Sequence, residues 1–267
     1  MLLTVRSAAM YELSTDAYMC LMVEPPLVGS SHRVQEERLF TSPTIFCELS
    51  RDLYGNPLRR LIAAKGAFNF EFTATIEAAP NEPLPTDAIE QPPQHFPPEV
   101  MIYTLPSRYC QSDLLARMAQ LEFGHLPCGG ARIEAITQWV RQHIEYRYGT
   151  TNSRTSAFDT ATERVGVCRD FAHLVIAFCR GLDIPARYVS GYALGLETPD
   201  FHGYAQVYLG GIWHNLDATS DSPRPALVPI AVGRDAADVP ITTLWGPHTL
   251  IEQTVDVREF VGPTSRF

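Results

Sequence analysis

The sequence has no Cys-x-x-Cys pair among its six cysteines, so neither a zinc ribbon nor a thioredoxin-type redox site is expected. No stretch of it approaches the ~20 consecutive apolar residues of a membrane helix. Positive charge is in deficit: 21 basic residues stand against 30 acidic ones, a formal charge of −9. Such a surface repels nucleic acid and anionic membranes, so neither is an expected partner. The opening MLLTVRSAAMYEL places Arg6 in a short apolar run and then turns acidic, unlike a secretory leader. A cytoplasmic address with reduced thiols is the expectation. Only Lys65 is a lysine, and no internal repeat is visible.

What is present is the composition of a globular chain, 45% apolar and 19% charged over 267 residues, long enough for one large domain or two modest ones. The first part reads as strands. Phe68, Phe70, Phe72, Ala74 and Ile76 alternate with polar residues, the period of two of a half-buried antiparallel strand. Thr44–Leu49 and Leu58–Ala63 flank the turn signal Tyr54-Gly55-Asn56, and Tyr18–Val23 is a further apolar run; together these predict a small β-sandwich. Residues 80–98 hold seven of the 21 prolines and predict an extended connector. Helical spacing follows at Asp113–Glu122, with Ser112 or Asp113 as cap, and at Arg132–Tyr146, then in a third helix from Cys168 to Arg180, stopped by Gly181 and Pro185. Strands are expected at Ala186–Tyr192, Tyr204–Leu209 and Ile212–Leu216.

The third helix carries the first chemical signal. In Gly166-Val167-Cys168-Arg169-Asp170-Phe171-Ala172 a cysteine sits at the first turn, where unpaired N–H groups and the positive end of the dipole converge. That position favours a thiolate nucleophile, and the same N–H groups can hold an oxyanion. A cysteine nucleophile requires an imidazole, and the imidazole an orienting carboxylate. Gly210-Gly211 predicts a two-residue hairpin turn, which sets Leu209 opposite Ile212, Tyr208 opposite Trp213 and Tyr204 opposite Asp217. His202 then lies on the Tyr204 face, diagonal to Asp217 and roughly 7–8 Å from it at Cα. Ala205, Val207, Leu209, Ile212, His214 and Leu216 fall on the other, apolar face. His173 is about 140° round the helix from Cys168 and cannot serve the thiol. Cys179 is roughly 16 Å along the axis, too far for a disulfide.

The order Cys, His, Asp, with Gly-Val-Cys-Arg-Asp-Phe-Ala (166–172), Gly-Leu-Asp-Ile-Pro-Ala-Arg-Tyr-Val-Ser-Gly-Tyr (181–192), His202-Gly203-Tyr204 and Asp217-Ala218-Thr219, resembles the transglutaminase-like superfamily of papain-related cysteine enzymes. Leu105-Pro106-Ser107-Arg108-Tyr109-Cys110 and Val232-Gly233-Arg234-Asp235 look like segments of bacterial members that carry a β-sandwich ahead of the catalytic domain. The resemblance implies an α+β protein: a small antiparallel β-sandwich domain over residues 1–95, then a papain-like, transglutaminase-core catalytic domain over 99–267. It implies Cys168 as nucleophile, His202 as general base and acid, and Asp217 as the group that fixes the imidazole tautomer. No cofactor or metal is implied. His-Gly-Tyr stands where members often have His-Ala-Trp, and Gln206 where glutamate is common, which marks Tyr204 and Gln206 as candidate substrate-binding residues. Tyr146, Tyr148 and Trp139 are candidates for the second oxyanion donor.

The implied activity is acyl transfer from a peptide or side-chain amide through a thioester, with hydrolysis favoured. Transglutaminase or deamidase chemistry stays open, with Lys65 the sole intrachain lysine acceptor. So do a non-catalytic interaction module of the same fold and a metal site built from Cys168, His202 and Asp217. No oligomeric state is indicated.

Overall fold

The computed structural model describes residues 1–260. Its first layer is built from β1 (Leu2–Leu13), β2 (Ala17–Leu21), β3 (His32–Ser42), β4 (Glu48–Arg51), β5 (Pro57–Ala63) and β6 (Gly66–Ala78). Alternation makes these strands two-faced: Leu3, Val5, Ala9, Tyr11 and Leu13 of β1 and Phe68, Phe70, Phe72 and Ile76 of β6 turn inward onto Met19, Leu21 and Leu61. The expected strand at Thr44–Leu49 forms only from Glu48, and β1 and β3 escaped the sequence reading. Both have small or charged residues among the apolar ones, so their period is weaker than that of β6.

The connector carries little regular structure before α1 (Pro98–Met101). After it come α2 (Ser112–Phe123), α3 (Gly130–His143), β7 (Glu145–Tyr146), α4 (Ala157–Glu163), β8 (Val165–Gly166) and α5 (Cys168–Arg180). The chain then forms β9 (Ala186–Ala193), β10 (His202–Leu209), β11 (Ile212–Leu216), β12 (Leu227–Gly233), β13 (Thr242–Trp245) and β14 (His248–Glu259). β11-β10-β9-β12 is an antiparallel sheet, and α5 packs on β10 and β9 with α2, α3 and α4 around it. Every residue of α5 from Asp170 to Arg180 is buried, which is why its sequence is apolar nearly all round. The fold is α+β with antiparallel sheets, as the motifs implied.

The last two strands do not stay in that layer. β14 pairs antiparallel with β1, and β13 with β2, giving sheets in the order β14-β1-β6-β3 and β13-β2-β5-β4. The expected division at residue 95 thus assigns to one side two strands that complete both sheets of the other. Proline-rich composition marks where the chain leaves the sandwich, but a return is a long-range pairing that no local pattern records. Among the described residues no helix is long and apolar enough to cross a membrane.

Candidate active site

The β10–β11 hairpin has the register that Gly210-Gly211 predicts: Leu209 opposite Ile212, Tyr208 opposite Trp213 and Ala205 opposite Leu216. Both glycines take positive φ, +59° and +91°, the left-handed region that a tight two-residue turn demands. Beyond the last ladder pair this register sets His202 diagonal to Asp217, with Nε2 2.7 Å from Oδ2. Both side chains are almost fully buried. The imidazole and the Cys168 thiol line one cleft.

Cys168 is the first residue of α5. Asp170, fully buried two positions on, accepts the Val167 N–H at 3.0 Å and so caps the helix from inside. The approach is close: a Cβ on Gly166 would stand 2.8 Å from the Asp170 Cβ, so the Gly-Val-Cys-Arg-Asp motif specifies a packed turn as well as a thiol. Arg169 is anchored to the Asn152 carbonyl at 2.8 Å. Cys168 and His202 open onto a cleft of about 340 Å³ that Tyr146, Tyr148, Arg169, Leu196 and Asp200 help to line.

Burial opposes charge on the His202 ring, but hydrogen bonds to Asp217 and Cys168 outweigh it and push its pKa up to about 9. Burial likewise opposes the Asp217 carboxylate. The hydrogen bond and charge of His202, with Thr219 and Arg224, hold that carboxyl well below the usual range. The arrangement is a charged imidazole between a thiol and a carboxylate. Asp217 is saturated: Oδ1 accepts from Thr219 N–H (3.0 Å) and Thr219 hydroxyl (2.6 Å), and Oδ2 from His202 and Arg224 Nε (2.7 Å). Its four lone-pair sites are thus spent on donors. That leaves the metal reading no free carboxylate oxygen, and among the described residues no cluster of three or more His, Cys, Asp or Glu has the arrangement of a metal site.

Tyr204 and Gln206 are not in the cleft. Tyr204 is 1% exposed, and Gln206 is held by Arg187 at 2.8 Å and Asn215 at 2.9 Å. Their face of β10 is covered, with Tyr103 packed edge-on to Trp213 and Asn81 bonded to Asn215. The structure thus places both candidate substrate-binding residues on a covered face of β10, outside the cleft that Cys168 and His202 line. Of the candidate oxyanion donors, Tyr146 and Tyr148 line the cleft beside Cys168, and the Tyr146 hydroxyl donates to that of Tyr148 at 3.4 Å. Burial and the neighbouring thiol raise the Tyr146 pKa, keeping the hydroxyl a donor. Trp139 instead packs against Phe123 and Phe178.

His173 is buried, stacked on Tyr109, and accepts the Ala236 N–H through Nε2 at 3.1 Å. His214 pairs with Val207 outside the cleft. The sequence reading missed Arg224 and Asp170. An acidic residue at the third helical position is a capping signal, whereas Arg224 lies in a loop of Ser, Asp and Pro with no pattern around it. All six cysteines are free.

Residues 124–218 match the family model of the transglutaminase-like superfamily. A candidate cysteine protease from Cytophaga hutchinsonii is 37% identical, and its crystal structure superposes with a TM-score of 0.91 over 99% of this chain and 92% of that one. An uncharacterised protein of Mycobacterium leprae is 37% identical over 116 residues, 40% of this chain and 41% of that protein. One of Mycobacterium tuberculosis is 33% identical over 138 residues, 44% of this chain and 43% of that protein. The chain therefore matches about two fifths of the length of these curated relatives.

Proposed function

The chain belongs to the transglutaminase-like superfamily, and from that premise we propose that it is a cysteine-dependent acyl-transfer enzyme acting on peptide or side-chain amides, with Cys168, His202 and Asp217 as its triad. The observation that carries the proposal is the 2.7 Å His202–Asp217 hydrogen bond on an imidazole that lines the same cleft as the Cys168 thiol. In the first half-reaction Cys168 Sγ, as thiolate, bonds to the amide carbonyl carbon. The carbonyl π electrons move to oxygen, where the Cys168 N–H and the Tyr146 hydroxyl serve as donors. As the intermediate collapses the C–N bond breaks, and the His202 imidazolium passes its proton to the leaving nitrogen. A thioester and a free amine or ammonia result. In the second half-reaction neutral His202 takes a proton from water as its oxygen attacks the thioester, and the thiolate leaves.

Hydrolysis is the favoured outcome. The candidate cysteine protease that resembles the chain over its full length supports it. An amine in place of water would make the same site a transglutaminase, and a glutamine side chain as acyl donor with water would make it a deamidase. The chemistry is assigned to the layer between α1 and β12, and a reducing, cytoplasmic compartment fits six unpaired thiols.

The test is limiting iodoacetamide on native protein across pH 5–9, with the modified cysteine mapped by mass spectrometry beside a His202→Ala control. Selective labelling of Cys168 below pH 7 that disappears in the control is the expected result. It would be followed by a screen of peptide amides with and without a primary amine. Labelling without preference for Cys168 would favour a non-catalytic binding module instead.

A further inference from the structure

One charged side chain touches the triad carboxylate and has no part in the reaction as written. Arg224 lies in the loop between β11 and β12, with its side chain 13% exposed. Its Nε donates to Asp217 Oδ2 at 2.7 Å, the same oxygen and the same length as the His202 bond. Nη2 donates to the Thr219 hydroxyl at 3.1 Å, and Nη1 to the Gly195 carbonyl at 3.1 Å. Gly195 opens the loop whose Leu196, Thr198, Asp200 and Phe201 form one wall of the cleft. The guanidinium thus joins three things that the sequence keeps apart: the triad carboxylate, its hydroxyl buttress and the cleft wall.

Resting on the triad reading above, we propose that Arg224 is a positioning residue that acts on the His202 imidazole through Asp217, keeping that carboxylate ionised and seated through both halves of the reaction while holding the cleft wall at Gly195. The need arises from the proton cycle. While His202 is an imidazolium, Asp217 has a cation beside it. After His202 gives its proton to the leaving group, the carboxylate would be a buried charge with no cation partner, which is costly. Arg224 cannot lose its proton at any working pH and supplies the second cation throughout.

The same contact has a cost that makes it measurable. A positive charge on Oδ2 weakens the pull of Asp217 on the imidazolium proton, so Arg224 sets the alkaline limit of the charged imidazole below where Asp217 alone would place it. The other ionisable or charged groups around this assembly are Cys168 and Arg169 from α5, Asp200 from the cleft-wall loop, Tyr146 of β7, Tyr204 of β10, stacked on His202, and Tyr188 of β9 near Cys168. None of them touches the shared oxygen, whereas Arg224 does.

The test follows the His202 ring directly, by NMR of protein labelled with ¹³C at histidine Cε1 and titrated from pH 6 to 11, with His202→Ala to assign the signal. Arg224→Gln removes the charge while Thr219 still holds Oδ1. Its His202 midpoint is expected about one pH unit above wild type. Arg224→Lys keeps the charge and should move the midpoint by less than half as much. An unchanged or lowered midpoint in Arg224→Gln overturns the proposal. Should that variant not fold, ¹⁵N-arginine labelling of the wild type decides the matter: the Arg224 Nε–H resonance must shift with the His202 midpoint if the two share one oxygen, and indifference to that titration overturns the proposal equally. Failure of the triad itself reads differently, as a Cys168 that alkylates no faster in wild type than in His202→Ala.

Discussion

At the residue scale, the state of the site depends on one buried imidazole bonded to the Asp217 carboxylate and sharing a cleft with Cys168. His202 has its pKa raised from an ordinary 6.5 to about 9. A base with a raised folded-state value stabilises the fold fully below about pH 6.5 and loses that contribution as pH rises through about 9. The denaturant midpoint of wild type is therefore expected to decline between pH 6.5 and 9 by more than that of His202→Ala. Parallel curves would show that the ring is not charged in the folded protein. In activity, Cys168→Ala should abolish turnover with the fold intact by circular dichroism. Asp217→Asn should lower kcat on the order of 10²- to 10⁴-fold and leave a residual rate. Activity close to wild type in either variant would place the chemistry elsewhere. His202 and Asp217 were legible as a pair because two glycines set the hairpin register. That Tyr204 and Gln206 lie under cover, outside the cleft, was not legible, because the register reveals which side chains share a face, not what covers that face.

At the element scale, the helix start and the strand it faces are held by close approaches that small residues permit. Gly203 lies against the Tyr188 ring, and a Cβ there would overlap the Tyr188 hydroxyl. Tyr188 is buried and lies near Cys168, so it cannot move without disturbing the surroundings of that thiol. Gly203→Ala is expected to cost about 1–3 kcal/mol of stability and to slow Cys168 alkylation, and Tyr188→Phe should recover part of both. No loss in the single variant would mean that the tyrosine has room to turn. The far end of α5 explains two motifs that the sequence left without a role. Arg180, 2% exposed, donates to the carbonyls of Ala186, Leu105 and Arg234 and to the Ser107 hydroxyl. Asp235 accepts the Tyr109 N–H at 2.7 Å, and Ala236 donates to His173. Leu105–Cys110 and Val232–Asp235 are thus the two sides of one buried clasp on α5. Asp235→Ala leaves the Tyr109 and Ala237 amides unpaired and is expected to cost about 1–3 kcal/mol, read as a shift of the urea midpoint.

At the scale of the whole molecule, the sandwich and the candidate catalytic layer are interleaved. β14 covers one edge of β1 from Leu3 to Leu13, and β13 covers β2. Between the layers, the Tyr192 hydroxyl of β9 donates to the Val23 carbonyl at 2.7 Å and shares a 2.8 Å hydrogen bond with Ser7 of β1. The Asn56 side chain bonds both the N–H and the carbonyl of Val232. A protein ended after residue 240 would expose the edges of β1 and β2 as unpaired strands, a template for association. It is expected to melt lower and to elute as aggregate in size-exclusion chromatography. A monomeric truncation with the full melting temperature would show that the returning strands are dispensable.

The sequence by itself determined whatever rests on local pattern: the alternation of β6, the helix from Cys168 to Arg180, the hairpin register, and through them the pairing of His202 with Asp217. Each follows from the periods of strand and helix or from the φ demanded by a tight turn, which are properties of neighbouring residues. The tertiary structure alone decided that the last strands return to the first layer, that the polar face of β10 is buried, that Arg180 and Asp235 form a clasp, and that Arg224 shares an oxygen with His202. These depend on contacts between segments far apart in the chain or on the side chains that happen to cover a face. Their energy comes from packing and from pairing buried polar groups, and neither leaves a period in the sequence.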